Sequence, residues 1–457
     1  WRFGRVRLMA PFGRAMRIAR LRLTRIGTRS ASGDIELFDD SGASVAALSE
    51  CWFRRVELSR SGSLDNRVLR VDLVAAPLYE TPAPGIFDRI GEILARQADR
   101  TNTDAEKSSE RALLFDAMTA SIAYRAVAAI VDPEVSFTMD ALVDAGAILP
   151  ETAPLFEHLL RLVERFDAAA ESEAGWRLAA NHDLPDVAAI WRLLLAEAPE
   201  LVAELALVAT AAEELPALLR DGLRQSEPAP LPMAEHLVQA SPVSAAAFEH
   251  IRETLTEIAA AWPAERPLRV LEIGADGAMT RRLIEALAQT GAPLAYCATH
   301  PDAQQAARVA GAIKSQAGAT ANRWSPVDDD DALGNSCFDV ILSFQALSRL
   351  QLGADALSRL RERLAPGGLL LAAETEPNPL WALAFGRYRG WWRHEANGGE
   401  ASPLRHGDAW CRDLALAGFM TPGSLAIGAG PWPLSVLWAR APAQQQPANT
   451  LAPEVSS

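Results

Sequence analysis

The residues Arg269-Val270-Leu271-Glu272-Ile273-Gly274-Ala275-Asp276-Gly277-Ala278 carry the chain's clearest chemical signature. Apolar residues run to Gly274, a glycine turn follows, and Met279 to Leu287 resumes at helical spacing, so the stretch reads as strand, turn and helix. Such a turn brings backbone amides and a helix N-terminus close to a polar cofactor of nucleotide type. Alone, the broken glycine pattern fits an ordinary strand-to-helix turn equally well. Metal chemistry is not expected. Cys51, Cys297, Cys337 and Cys411 lie far apart and read as reduced thiols, the seven histidines form no zinc pattern, and Asp328 to Asp331 reads as a solvated acidic loop.

The elements that must position this turn follow from periodicity. Candidate strands are Arg269 to Ile273, Leu294 to Thr299, Ala321 to Ser325, Phe338 to Phe344, Gly368 to Glu374, Thr421 to Ile427 and Leu434 to Ala439, with helical patterns between them. This alternation predicts a doubly wound α/β sheet with ligands at the carboxyl ends of its strands. Upstream, Ile86, Phe87, Ile90, Ile93 and Leu94 share one helical face, and similar patterns recur to about residue 225. Leu184-Pro185-Asp186 should start one such helix, ahead of Val187, Ile190, Trp191 and Leu194. Gln225 to Pro230 breaks the helical run, and a helix from about Ala245 leads to the strand at Arg269.

Residues 1 to 60 read as strands: Arg17 to Ile26 alternates, Asp34 to Phe38 enters the turn Asp39-Asp40-Ser41-Gly42, and Val45 to Leu58 returns. This is a hairpin from a larger sheet, and the start on Trp1 reads as a cut in a longer polypeptide. Ser61-Gly62-Ser63 and Ala83-Pro84-Gly85 read as linkers around a strand from Arg67 to Val74, and residues 441 to 457 as a flexible linker.

With 457 residues, 49% of them apolar, the chain is expected to form two to four domains. No apolar run approaches the roughly 20 residues of a membrane span, nor is there a signal peptide core, so a cytoplasmic setting without membrane contact is expected. A net charge of -14 argues against bulk nucleic-acid binding. The first 29 residues nevertheless hold nine arginines and no acid, which reads as a solvated sheet face.

The α/β part resembles a class I S-adenosylmethionine-dependent methyltransferase, specifically the C-methyltransferase domain of type I polyketide synthases. The resemblance rests on Val270 to Gly277, Ser241-Pro242-Val243, Phe338-Asp339-Val340-Ile341, Ala365-Pro366-Gly367-Gly368-Leu369-Leu370-Leu371, Gly390-Trp391-Trp392-Arg393 and Ala417-Gly418-Phe419. Residues Asp34 to Asp40 and Trp52 to Leu58 resemble the end of the dehydratase that precedes such domains, although its HxxxGxxxxP motif is absent. The fold this implies is a class I methyltransferase-like (Rossmann-like) seven-stranded sheet with an N-terminal helical lid, preceded by a piece of a hot-dog dehydratase. The implied boundaries are 1–60 for the dehydratase piece, 61–85 for a linker with one strand, 86–244 for the lid, 245–440 for the α/β core and 441–457 for the flexible linker.

Measured against that family, Glu272 and Gly274 match its cofactor turn, while Asp276 and Ala278 replace the second and third glycines. A side chain there is a steric loss, and Asp276 adds negative charge near the cofactor's carboxylate. The alternative is that Gly277 lets the turn shift by one residue. His300 stands where an acid takes the ribose hydroxyls, and Asp302 is the alternative acid. The family ends its fourth strand in Asn-x-Leu-His, the His acting as base and held by a Glu after the fifth strand. This chain has Gln345-Ala346-Leu347-Ser348, so Glu374 remains without its partner. Ser244 to Phe248 replaces residues that face the cofactor and reads as packing. Trp381, Phe385, Trp391 and Trp392 read as core, and His158, His182, His236, His250 and His406 as surface or capping residues.

These departures lead to the expectation of a non-catalytic pseudo-methyltransferase region in a polyketide or fatty-acid synthase, with Ser348 and Glu374 as vestigial catalytic positions. Glu272, Gly274, Asp276, Gly277, Ala278 and His300 would be vestigial cofactor positions, and no cofactor is expected. Its partners would be flanking synthase domains and an acyl carrier protein with a phosphopantetheine-bound chain, in a homodimeric parent synthase. Two alternatives stand beside it. One is an active C-methyltransferase using S-adenosylmethionine on the α-carbon of a β-ketoacyl thioester, and the other is a carrier-protein docking surface built on the N-terminal arginines.

Overall fold

The computed structural model describes residues 4–9, 16–26, 30–54, 85–101, 105–180, 183–224, 232–239, 241–327, 333, 337–394, 400–427 and 430–443. The chain divides into two units, Trp1–Pro77 and Leu78–Ser457.

In the first unit, strands β1 (Arg5–Leu8), β2 (Ile18–Ile26), β3 (Ser30–Phe38) and β4 (Ser44–Arg54) form an antiparallel sheet in the order β1-β4-β3-β2. The alternation of β2 sets Arg20 opposite Glu36 and Arg22 opposite Asp34, and turns Leu21 and Leu23 toward Ile35 and Gly33 on the other face. Opposite charges facing each other across strands explain how so many arginines share one sheet. The Asp39 turn forms as expected, its carboxylate accepting from Ser41 N, Ser41 Oγ and Ala43 N. Strand β1 was not anticipated; four residues are too few for a period. The expected continuation of β4 to Leu58, the linkers and the strand from Arg67 to Val74 lie outside the described residues. What the described residues of this unit show is a four-stranded antiparallel sheet.

The second unit begins with helices α1 (Ile90–Thr101), α2 (Ala105–Ala128), α3 (Met139–Asp144), α4 (Ala153–Glu164), α5 (Val187–Glu197), α6 (Val202–Asp221), α7 (Pro232–Gln239) and α8 (Pro242–Ala260). Helix α5 starts where Pro185 and Asp186 predict, with Asp186 accepting from Ala189 N at 3.1 Å as its N-cap. A small sheet of β5 (Ser136–Phe137), β6 (Ala169–Ser172) and β7 (Gly175–Leu178) interrupts the helices. It escaped the sequence reading because such short strands carry no measurable alternation. The break at Gln225 to Pro230 lies outside the described residues.

The α/β core follows as β8 (Leu268–Ile273), α9 (Gly277–Ala288), β9 (Leu294–His300), α10 (Ala303–Ile313), β10 (Ala319–Arg323), β11 (Phe338–Phe344), α11 (Ala354–Glu362), β12 (Leu364–Thr375) and α12 (Pro379–Phe385). After a short β13 (Arg393–His394) and β14 (Glu400–Ala401) come α13 (Gly407–Leu416), β15 (Met420–Ile427) and β16 (Leu434–Arg440). The seven-stranded sheet runs β10-β9-β8-β11-β12-β16-β15, parallel except for β16, which is antiparallel to both neighbours. Strand order reverses between β8 and β11, which places the ligand crevice of such a sheet at their carboxyl ends.

At the opposite end, the fully buried Asp339 fixes the register of these two strands. It accepts from the Arg269 backbone N, Nε and Nη2 at 3.1, 3.0 and 2.9 Å, and from Arg266. Several donors on one carboxylate are what a buried charge needs to offset its desolvation. Every residue of β12 is buried, as expected of a central strand. Its segment Pro366-Gly367, ahead of the strand start expected at Gly368, continues the strand through a register shift between Phe338 and Val340 of β11. Gly367 takes φ +72 there.

Candidate functional site

The turn between β8 and α9 is built on Gly274, whose φ is +66; a Cβ there would lie 2.5 Å from the Ala346 Cβ. Glycine is therefore required by the close approach of the segment after β11. Asp276 is the N-cap of α9. One of its oxygens accepts from Ala278 N at 3.1 Å and Met279 N at 3.2 Å, and the other from Gln239 Nε2 of α7 at 2.7 Å. An Asp cap contributes about 1 kcal/mol, and the helix N-terminus favours its charge, so the lost glycine has a structural return. Gly277 does not shift the turn: it opens α9 against α10, where a Cβ would lie 3.1 Å from the Ala312 Cβ. Ala278 is exposed on the first turn of α9.

Glu272 is buried at the end of β8, one oxygen accepting from Thr280 Oγ1 and Tyr296 OH, both at 2.8 Å. Burial pushes its carboxyl up to about 7, against the pull of the two hydroxyls, and Asp276 adds to the rise. At the end of β9, His300 Nδ1 accepts from Asp302 N at 3.0 Å, which leaves Nε2 as the ring's proton-bearing nitrogen. Burial and Arg349 hold its pKa below the usual imidazole range, so the ring is a neutral donor. Asp302 Oδ1 accepts from Gln305 N at 2.8 Å as the N-cap of α10.

After β11 the chain turns through Gln345, a buried residue at φ +51. Its Nε2 donates to Ser244 Oγ at 2.9 Å, while its Oε1 is buried without a hydrogen bond among the described residues. Ser244 Oγ donates onward to Leu237 O of α7 at 2.8 Å. The segment Ser244 to Phe248 is thus partly polar in role: Ala247 and Phe248 pack in the core, but Ser244 bridges α7 and Gln345.

Three residues later, Ser348 Oγ donates to Glu374 Oε2 at 2.5 Å, and Ser348 N and Leu347 N add bonds to the same carboxylate at 3.1 and 2.8 Å. Glu374 thus bonds Ser348 at the position where the family has its His. Both residues are buried, and burial pushes the Glu374 carboxyl up against these donors.

A Methyltransferase domain family description matches residues 271–370. The CurJ carbon methyltransferase matches with TM-score 0.66 and 21% identity, over 79% of this chain and 100% of that one. This is a class I methyltransferase-like fold. The CMeT domain of the citrinin polyketide synthase has a TM-score of 0.62 at 16% identity, covering 79% of this chain and 96% of its own. In sequence, the non-reducing polyketide synthase AC of Didymella fabae is 28% identical over 169 residues, 36% of this chain but 6% of that synthase's own length.

The expectation that the domain takes no cofactor is corrected: its fold is the one solved for the CurJ carbon methyltransferase and the citrinin synthase CMeT domain, and methyl transfer needs a methyl donor. The residues present fit such a group. The Gln345 Oε1 is an orphaned acceptor at the switch point, Gly274 opens the backbone beside it, and His300 holds a donor at the next strand end.

Elsewhere, Trp381 packs at a tilt against Phe385 at 4.9 Å and meets Trp432 edge-on at 5.4 Å, while Phe385 stacks on Trp391 at 5.6 Å. His236 is exposed and His406 opens α13 beside Glu376, but two histidines depart from the surface expectation. His250 is buried with Nδ1 on Ala246 O at 2.8 Å, and burial holds His158 down at about 4. His182 and Asp328 to Asp331 lie outside the described residues. Sequence reasoning missed Gln239, and the only available signal was its place just ahead of the Ser241 cap.

Proposed function

We propose that residues 86–440 are the methyltransferase part of a polyketide synthase, taking S-adenosylmethionine and methylating the α-carbon of a β-ketoacyl thioester borne on an acyl carrier protein. On the same reading residues 1–60 are the end of a dehydratase, and flanking synthase domains are the partners. The observation that carries the proposal is the buried Glu374 and Ser348 pair, 2.5 Å apart at the carboxyl end of the sheet. A serine hydroxyl is no base by itself, but this one hands its proton to a carboxylate that burial has made more basic. As the α-carbon C–H bond breaks, the proton goes to Ser348 Oγ and the serine proton to Glu374, while the electron pair moves onto the carbonyl oxygen.

When bound, S-adenosylmethionine supplies an electrophilic methyl on its sulfonium. Gln345 Oε1 and the Asp276 carboxylate offer acceptors to its ammonium, and His300 Nε2 a donor to a ribose hydroxyl. Calorimetric titration with S-adenosylmethionine, followed by labelled-methyl transfer to a β-ketoacyl thioester, tests the reading. Binding with transfer supports it.

A second reading, a catalytically silent spacer between synthase domains, is favoured by one observation: Asp276 is already engaged by Ala278, Met279 and Gln239. A neutral His300 also replaces a carboxylate whose charged hydrogen bonds would contribute about 1.5–3 kcal/mol each. Binding without any transfer would favour the spacer.

A further inference from the structure

We infer that Gln351 is a positioning residue for the Ser348 and Glu374 pair, tying the turn that carries Ser348 to a strap held by the helical part of the unit. This rests on the methyltransferase reading above. The turn after β11 presents three donors to the Glu374 carboxylate: Leu347 N at 2.8 Å, Ser348 N at 3.1 Å and Ser348 Oγ at 2.5 Å. That cradle holds only while the turn keeps its place against β12, which carries Glu374. Backbone bonds shape the turn, from Leu350 N to Ala346 O and Gln351 N to Ser348 O at 2.9 Å and from Leu352 N to Leu347 O at 3.0 Å. Leu347 and Leu352 are buried on its inner side, but Arg349 to Gln351 form an outer rim that is not.

Gln351 anchors that rim. Its φ is +51, a left-handed conformation that glycine takes freely and glutamine does not, so what glutamine adds is its side chain. The Nε2 donates to Gly390 O at 2.6 Å. Gly390 lies in the strap Arg387 to Trp392 after α12, and the helical part grips this strap at several points. Arg224, just after α6, bridges it, with Arg224 N on Arg387 O at 2.9 Å and Arg389 N on Arg224 O at 3.0 Å. Arg387 pairs with Glu214 of α6, and Arg389 with Glu151 ahead of α4. Glu151 in turn accepts from Leu223 N at 3.0 Å. Contacts therefore run without a gap from Glu374 through Ser348, Gln351, the strap and Arg389 to Glu151, and Gln351 is the side chain in this series that joins the turn to the strap.

The test follows α-proton exchange of a 3-oxobutyryl N-acetylcysteamine thioester in D2O by NMR, using the full chain without cofactor. Gln351→Met keeps the side chain's length and removes its donor. It should lower the saturating exchange rate roughly tenfold at unchanged KM, because a misplaced base costs rate rather than binding. Gln351→Lys, which restores a donor, should recover part of the loss. The donors of Leu347 and Ser348, with the Arg349 charge in the same turn, hold the Glu374 pKa down against burial. Loosening the turn lets that pKa rise, so the limb where the base becomes protonated should move to higher pH. A loss of folded protein would instead scale the rate equally at every pH. Amide hydrogen exchange over Leu347 and Ser348 probes the cradle apart from the chemistry, and should quicken in Gln351→Met while that of β12 stays unchanged. A Met variant with the wild-type rate, pH limb and amide protection would overturn the inference while the base pair stands, and so would a slower rate with an unmoved limb. A wild type no faster than buffer would overturn the base assignment and this inference with it, whatever calorimetry shows for S-adenosylmethionine.

Discussion

Replacing Glu204 with Gln should make the second unit gain stability at alkaline pH relative to acid pH. Glu204 lies in α6, fully buried, and neither carboxyl oxygen has a hydrogen bond among the described residues. Burial pushes its pKa from 4.5 up to about 7, and the nearby Glu200 charge adds to the rise. The folded state thus keeps a proton that the unfolded chain releases, and stability present below pH 4.5 is lost as pH rises through about 7. At about 1.4 kcal/mol per unit, a rise of this size amounts to about 3 kcal/mol. A glutamine does not titrate, and its buried amide costs the same at every pH. The melting difference between variant and wild type should therefore change by about 3 kcal/mol between pH 4.5 and 8, on the order of 5 °C. Glu272, also raised to about 7, and His158, held at about 4, titrate in both proteins and cancel from that difference. An equal difference at both pH values would show that Glu204 is not held protonated by the fold.

Ser348→Ala should lower α-proton exchange and methyl transfer by roughly 10²-fold, and wild-type rates would remove Ser348 from the proton path. Asp276→Asn keeps an N-cap of equal rank but loses the charge, so calorimetry should show roughly tenfold weaker S-adenosylmethionine binding with little change in melting. Tighter binding by that variant would mean that the carboxylate repels the cofactor instead of receiving its ammonium. Arg387→Met should destabilise the second unit by about 3 kcal/mol or more, read as a fall in melting temperature, because it removes a buried cation from Glu214 of α6. A variant melting like the wild type would show that this pair does not tie the helical part to the segment after α12.

Most of the sheet was legible because its strands are apolar runs between turn residues. Phe338–Phe344 is found with the bounds its sequence suggests, and β8, β9 and β16 differ by one residue at an end. Strand β10 lies two residues earlier than expected, at Ala319–Arg323, where its partly exposed residues give no apolar run to fix the ends. Strand β12 begins at Leu364, four residues early, because a bulge carries Pro366 and the glycines within a strand whose register local composition does not reveal. The small sheet of β5 to β7 was invisible for want of length. Site positions were legible only where a turn type or strand end fixed them. That Ser348 closes on Glu374, 26 residues away in sequence, depends on β11 and β12 pairing in parallel, which no local pattern states.

The same distinction decides how the opening turn is to be understood. Judged by residue type, Asp276 is a lost glycine and His300 a lost acid, and both count against a ligand. Judged by geometry, Asp276 caps α9 and is met by Gln239, and His300 is a neutral donor ordered by the Asp302 amide. Meanwhile Gln345, replacing an asparagine, leaves a buried acceptor open beside Gly274, at a cost of about 1–3 kcal/mol if nothing fills it. A decayed site that only joins strand to helix has no reason to keep that unmet acceptor together with a buried carboxylate bonded to a serine hydroxyl. Gln345→Met separates the cases. If the acceptor serves a ligand, the variant loses S-adenosylmethionine affinity but keeps that for methylthioadenosine, which lacks the amino-acid end. If it serves nothing, relief of the unmet acceptor raises the melting temperature and leaves both affinities unchanged.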